Sequence, residues 1–407
     1  MPTPPRRPPI LLLIAFVALS PLSINIVVPS LPQLPAVFGT DYTRAQLTLT
    51  LYLAGIAFGQ LVYGPVSDRF GRRPVMIAGL GLFVASSVLA LAALSIDMLI
   101  LARVGQAAGG CAAMVLTRAI VRDAWTREQS ASVMGYVTMG MAVAPMLAPA
   151  LGGVLDELYG WRGAYVVMLG YGTLATLLAV FALSETLGER SAALGAAGLL
   201  RGYRSLLASP AFVCYALSTG FNSASFFSFL GGAPYVTQHL MGLTPKEYGL
   251  YFIMISMGYM LGNFLSGAFS VRVGLERMVL AGGVITVGAG IAMDVLARVG
   301  GLAPLDIFGP MTLGAIGSGM VLPNALAAGV SVDPRAAGAA SGLMGFVQMG
   351  IGALSTVLVV ALQGETADAM VYCVLGSSVL CLVFFLLAWT AQRRQSARQG
   401  TVPAASD

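Results

Sequence analysis

Charge is what this sequence lacks most. Only 10% of its 407 residues are Asp, Glu, Lys or Arg, against about 25% in a soluble globular domain. That shortage excludes an ordinary water-facing surface. Histidine is almost missing: His239 is the only one, and it falls in a connection between apolar runs. Cysteine is held to Cys111, Cys214, Cys373 and Cys381, each inside an apolar run. A disulfide framework is therefore not expected. Scattered thiols and one loop histidine supply neither a metal cluster nor a nucleophile–base pair. The chain is read as no enzyme, with no catalytic residue, no metal and no cofactor. No filter-like loop or ring of charges recurs, which argues against a channel.

What the chain has instead is apolar length. Hydrophobic residues make up 57% of it, and the mean hydropathy is +0.85. A bilayer core of ~30 Å takes ~20 apolar residues per helix. Twelve stretches qualify: 10–31, 43–66, 74–94, 98–119, 129–153, 163–184, 210–236, 246–268, 277–297, 304–328, 337–361 and 369–391. The 50 glycines and 21 prolines would break soluble helices. In membrane helices small residues let backbones approach and freed backbone groups find new partners. The first run follows Arg6 and Arg7 as a signal peptide would, but it is too long and contains Pro21 and Asn25. It is read as the first helix.

The net charge of +5 is a topology signal and not a nucleic-acid patch. With the amino terminus in the cytoplasm and loops assigned alternately, 17 of the 22 basic residues fall inside: Arg6, Arg7, Arg69, Arg72, Arg73, Arg118, Arg122, Arg127, Arg190, Arg201, Arg204, Arg272, Arg277, Arg335, Arg393, Arg394 and Arg398. Arg44, Arg162, Lys246 and Arg298 fall outside, and Arg103 lies within a helix. That bias puts both termini in the cytoplasm.

The chain also repeats itself. Gly64-Pro65-Val66-Ser67-Asp68-Arg69-Phe70-Gly71-Arg72-Arg73 lies between the second and third runs. A shift of about half the chain gives Gly267, Ser270, Arg272 and Gly274, where Val271 replaces the Asp and Glu276 an Arg. Met134-Gly135-Tyr136-Val137-Thr138-Met139-Gly140 in the fifth run likewise matches Met344-Gly345-Phe346-Val347-Gln348-Met349-Gly350 in the eleventh. A duplicated apolar chain is how many transporters are built, with the substrate site between halves. The expected division is 1–184 and 210–391 for two six-helix bundles, 185–209 for a connecting linker and 392–407 for a tail.

These motifs resemble those of one family. Gly64 to Arg73 resembles the loop between helices 2 and 3 of the major facilitator superfamily. Arg103-Val104-Gly105-Gln106 with Gly109 resembles its helix 4 motif. Ala148-Pro149-Ala150-Leu151-Gly152-Gly153 resembles its helix 5 antiporter motif, with Ala148 where Gly is usual. Gly232-Ala233-Pro234-Tyr235-Val236, Pro323-Asn324-Ala325 and Gly338-Ala339-Ala340-Ser341-Gly342 are similar to the bicyclomycin-resistance (Bcr/CflA) drug:proton antiporters. The resemblance implies an all-α polytopic membrane protein with twelve transmembrane helices in two pseudo-symmetric six-helix bundles. It implies a monomer in the lipid bilayer of the bacterial inner membrane, exporting drugs or small metabolites by alternating access and coupled to protons. An importer or uniporter of a siderophore or nutrient on the same fold stays open, because fold does not settle function.

Candidate sites follow. Gly64, Asp68, Arg69, Gly71, Arg72 and Asp123 form the gating set. The glycines would allow a tight turn and close helix approach. Asp68 would accept hydrogen bonds from the positive start of helix 11, and Asp123 would pair with Arg72. Pro149, Gly152 and Gly153 would kink and pack helix 5. For substrate and coupling, Arg103 is expected to line a cavity or snorkel outward, and Gln106, Tyr52 and Tyr136 belong to the same candidate set. Asn222, Phe226, Tyr251 and Gln348 would build a ring-rich pocket with a few polar groups. Asn25 stands where the related exporters carry an Asp. An amide cannot carry a proton on and off, so coupling at this position is in doubt. Asp97, Asp294 and Asp306 are the remaining acids read as near membrane depth, all at outer ends.

Overall fold

A computed structural model of the chain describes residues 7–187, 196–299, 302–333 and 336–400. Arg6, Arg190 and Arg335, parts of the expected linker and tail, and the side chains of Arg127, Gly135, Thr138, Met139, Gly140, Arg394 and Arg398 lie outside the described set. Twelve long helices carry the fold: α1 Ile10–Asn25, α2 Tyr42–Phe70, α3 Arg72–Leu91, α4 Ile96–Ala124, α5 Arg127–Tyr159, α6 Arg162–Ala182, α7 Pro210–Tyr235, α8 Pro245–Val273, α9 Leu275–Val299, α10 Pro304–Ser331, α11 Ala337–Ala361 and α12 Asp368–Gly400. A short helix, Ala196–Leu207, sits within the linker. Ten spans among the described residues are long and apolar enough to cross a bilayer. α7 carries Ser218, Thr219, Asn222, Ser223, Ser225 and Ser228, all buried among neighbouring helices.

The ends follow from local chemistry. Asp41 caps α2, its Oδ1 accepting from the Arg44 amide at 2.7 Å. Thr244 and Glu247 form a reciprocal capping box on α8, which satisfies two amides that lack helical partners. α2 stops at Gly71 and α8 at Gly274, with φ of +103° and +94°, a conformation that glycine adopts without strain.

α1 departs from expectation. The apolar run reaches residue 31, but the helix ends at Asn25 and resumes as a 3-10 turn, Val28–Gln33. Pro29 has no N–H to offer the Asn25 carbonyl, and Pro32 none for Val28, so the chain tightens. α7 ends in a comparable irregularity, a π turn at Val236–Leu240 after Pro234.

Helix neighbours repeat with a shift of six. α1 packs on α4, α5 and α6, as α7 packs on α10, α11 and α12. α3 packs on α4 and α6, as α9 packs on α10 and α12. Even a close glycine crossing corresponds. A Cβ built on Gly109 would lie 2.4 Å from the Gly79 carbonyl oxygen, and one on Gly317 2.5 Å from that of Gly282. The halves meet along two seams, α2 against α11 and α5 against α8. Two pseudo-symmetric six-helix bundles result.

The ends of the bundle differ. Toward Asp156, one apolar core runs through both halves, joining Ile26, Val28 and Leu31 to Phe229, Tyr248 and Phe308. Toward Arg72, the second half keeps a core of its own, built on Phe212, Tyr215, Val321, Met344 and Phe385. The molecule is closed at the Asp156 end.

Candidate functional site

The charged turn between α2 and α3 is organised around Arg72, whose side chain is 3% exposed. Its Nη1 lies 2.6 Å from Asp68 Oδ1, and its Nε donates to Asp123 Oδ2 at 2.8 Å. Nη1 also donates to Ser67 Oγ at 2.5 Å. Glu185, just past α6, accepts from the Arg72 and Arg73 amides at 3.0 and 3.1 Å. That carboxylate caps the positive start of α3. A Cβ on Gly71 would meet only the end of the Glu185 side chain, at 2.6 Å, so it is the positive φ that asks for glycine there.

Two expectations need correction. Asp68 pairs with Arg72 in this state, and no described hydrogen bond links it to the start of α11. The start of α11 instead lies beside Arg122, a Cβ on Gly338 falling 4.0 Å from its Nη1. A Cβ on Gly64 would meet nothing within 4 Å, so no close helix approach requires this glycine. Arg69 lies over the ring of its neighbour Phe70, 5.4 Å from the centroid.

A second constellation lies inside the first half. Arg103 is fully buried and turned inward, neither snorkelling nor facing an open cavity. Nε donates to the Thr48 carbonyl at 3.2 Å, and Nη1 to Ser23 Oγ and Gln106 Oε1, both at 3.0 Å. Nη2 donates to the Ser23 carbonyl at 3.1 Å. The guanidinium lies over the Tyr52 ring, 4.0 Å from the centroid. Gln106 Nε2 donates onward to Ser87 Oγ at 2.9 Å. The network ties α4 to α1, α2 and α3. Arg103 acts where α1 breaks, taking up a carbonyl two residues before the helix ends. No carboxylate touches it among the described residues.

Asn25 is buried. Its Nδ2 donates to the Pro21 carbonyl at 2.8 Å, and its Oδ1 has no partner. Of the remaining acids read from the sequence, Asp97 pairs with Arg44 at 2.7 Å, Asp294 with Arg298 at 3.0 Å, and Asp306 accepts from the Ala303 amide at 2.8 Å. All three are peripheral.

The second half contributes rings. Phe226 packs on Phe252, with centroids 6.2 Å apart, and Tyr251 stacks on Phe308 at 5.1 Å. Phe229 joins Phe252 and Phe308. Asn222, Phe226 and Phe229 share a helix face at i, i+4 and i+7. Asn222 is buried with its Oδ1 unpartnered. Gln348 is partly exposed on α11. Tyr136 is 54% exposed and is not part of the Arg103 network. The structure thus gathers Tyr52, Arg103 and Gln106 in one group and Phe226 and Tyr251 in another.

The seams are built for close approach. A Cβ on Gly153 would lie 2.3 Å from the Pro245 carbonyl oxygen across the seam, while one on Gly152 would lie 2.0 Å from that of Ile26 within the first half. Gly249 meets the carbonyl of buried Pro149 at 2.4 Å. Across the other seam Thr50 and Thr356 hydroxyls share a hydrogen bond of 2.7 Å, and Tyr42 donates to the Gly231 carbonyl at 3.2 Å. Gln60 packs into α11 where Gly345 leaves room, a Cβ there falling 1.7 Å from its Oε1. Glu185, Ser23, Ser87 and Gln60 were not singled out from the sequence. Only Gln60, polar within an apolar run, left a signal.

Residues 13–356 match the model of the Major Facilitator Superfamily. The chain is 33% identical to an uncharacterized MFS-type transporter YdgK of Bacillus subtilis, covering 84% of this chain and 85% of the relative. It is 28% identical to a bicyclomycin resistance protein homolog of Haemophilus influenzae, covering 91% and 92%. It is 32% identical to a chloramphenicol resistance protein of Pseudomonas aeruginosa, covering 91% and 88%. In fold it is similar to a bacterial homolog of the human lysosomal transporter Spinster, in an inward-facing and unoccupied conformation. The TM-score is 0.71, at 18% identity, covering 94% of this chain and 96% of that one.

Proposed function

This chain belongs to the Major Facilitator Superfamily, and on that premise we propose that it is a proton-coupled secondary transporter that exports drug-like or other small molecules from the cell by alternating access. It is a multi-pass protein of the inner membrane. The single observation carrying the reading is the asymmetry of the bundle. One continuous core closes the Asp156 end, while the cores are divided at the Arg72 end. A molecule whose halves touch along two glycine-lined seams can rock about them and exchange one closed end for the other.

The basic bias places the Arg72 end, and both termini, in the cytoplasm. The two bundles divide at 184, with 185–209 as the connector, 210–391 as the second bundle and 392–407 as the tail. The ring-rich face of α7, α8 and α10 suits apolar substrates, with Asn222 and Gln348 supplying polar selectivity. The Arg72 cluster biases one state against the other. The protein works as a monomer. The names of relatives concerned with bicyclomycin and chloramphenicol support a drug as cargo.

The test is a drug-susceptibility panel in an efflux-deficient host carrying the chain, an empty vector or Asp68→Asn. Resistance to at least one compound in the first strain alone, with reduced accumulation, supports the reading. Raised accumulation would favour the importer.

A further inference from the structure

The first half holds one buried acidic side chain that its gate and its arginine network do not use. Asp156 is 5% exposed and is the one buried acid among the described residues. It lies on the last turn of α5, beyond the apolar stretch 129–153. Its Oδ2 accepts from Gln33 Nε2 at 2.5 Å, while its Oδ1 is buried with no hydrogen-bond partner. Ser30, whose hydroxyl is also unpartnered, lies close enough to act on it. Gln33 and Ser30 belong to the 3-10 turn after the break in α1, and this turn is part of the closed end. Gln238 of the second half donates to the Pro29 carbonyl of the same turn at 2.9 Å.

The surrounding charges give Asp156 no counter-ion. Residues 8–40, which include α1 and the turn, contain no charged side chain. On α6, Arg162 is taken by the Leu91 and Ala93 carbonyls, each at 3.2 Å. On α8, Lys246 is exposed, and Glu247 is occupied in capping Thr244. On α4, Asp97 is paired with Arg44. Glu157 beside it on α5 repels a second negative charge. A carboxylate desolvated without a cation is costly and takes up a proton instead.

We propose that Asp156 is a proton-binding site of the gate: protonated it holds the Asp156 end closed, and ionised it favours opening. This deepens the transport reading and rests on its assignment of the Asp156 end to the outer face. Burial raises the carboxyl above its ordinary value in the closed form, outweighing the opposing effect of Ser30 and Gln33, with a smaller addition from Glu157. A group whose affinity is raised in one form binds its proton more tightly there. A falling external pH therefore favours closure, and the bias is lost as pH rises through the closed-form value. Protons arriving from outside would return the transporter to the state that loads from the cytoplasm.

The test uses the full chain in cells, with a cysteine placed at Leu31, which is buried in the turn. Labelling by a membrane-impermeant maleimide is followed against external pH, its rate taken relative to that of an exposed cysteine placed at Gly39 so that the thiolate's own pH dependence cancels, with the chain lacking both cysteines as background. The rate should fall as pH falls, by up to ~10-fold for each unit by which closure raises the Asp156 affinity. Asp156→Asn should label slowly at every pH, and Asp156→Glu should keep the pH response and report on folding. A parent that is blind to pH overturns the proposal, as does an Asp156→Asn chain that keeps the full response. Transport of a compound found in the susceptibility panel is measured in parallel. Export with pH-blind labelling sinks the proton site alone. A pH-gated Leu31→Cys chain that moves nothing sinks the transport reading alone.

Discussion

The guanidinium of Arg103 lies 4.0 Å above the ring of Tyr52 and donates to the Ser23 carbonyl where α1 breaks. A cation in this position is held by a ring face and by oxygens, without a carboxylate. A desolvated cation–ring contact is worth about 2 kcal/mol, and each hydrogen bond to a charged group about 1.5–3 kcal/mol. Lysine has neither the planar fork nor the reach to serve Thr48, Ser23 and Gln106 together. Arg103→Lys should therefore insert but melt several degrees lower in detergent and lose most of its transport. Wild-type melting and transport in this variant would show that the network is dispensable.

The Arg72 cluster allows stability and the proposed gating to be tested apart. Arg72 is buried between Asp123, 18% exposed, and Asp68, 41% exposed. Removing one partner of a buried pair costs about 3–5 kcal/mol, whereas an exposed pair is worth about 0–1 kcal/mol. Asp123→Ala should thus lower the melting temperature clearly more than Asp68→Ala. Asp68→Asn should leave insertion intact and impair transport, because the charge acts on the equilibrium between states. Equal transport at equal expression would remove Asp68 from the gate.

Gly153 tests the α5–α8 seam. Its missing Cβ leaves room for the Pro245 carbonyl of the opposite half, whereas Gly152 makes room for Ile26 of its own half. Gly153→Ala should penalise the closed Asp156 end by about 1–3 kcal/mol, and Gly152→Ala should lower stability in both states. Cysteine accessibility at that end should rise for the first variant. An unchanged accessibility would show that the seam yields without cost.

Asn25 tests where charge selectivity comes from. Its Oδ1 is buried and unpartnered, and Arg103 is a fully buried cation of the same half with no carboxylate among its described contacts. As it stands, the chain should favour neutral or anionic compounds over lipophilic cations. Asn25→Asp places a titratable acid there, so it should raise the pH dependence and shift preference toward cations. Comparing one neutral and one cationic compound in both forms checks this. Strong pH-dependent cation export by the parent would put selectivity elsewhere.

Much of this architecture was legible in the chain. Bilayer thickness dictates helix length, so the apolar runs could be read as helices directly. The duplication was visible in Gly71 and Gly274 because both positions need the same positive φ. The break in α1 was written in Pro29 and Pro32, but hydropathy is blind to missing N–H groups. Arg103 was found as an isolated charge; its partners were not, because a carbonyl freed at Ser23 has no letter in the sequence. Asp156 escaped notice because it lies past residue 153, where an acid looks solvated, and only the packed turn at Ser30 and Gln33 buries it.

Alternating access is best tested by distances across both ends in one molecule. Spin labels at Gly39 and Gly242 would report on the Asp156 end, and labels at Phe70 and Val271 on the Arg72 end, with and without a compound from the susceptibility panel. The account expects two populations at each end, the short distance at one accompanying the long distance at the other, with ligand and external pH shifting the balance. A single distance at each end, indifferent to ligand and pH in a transport-active protein, would contradict it.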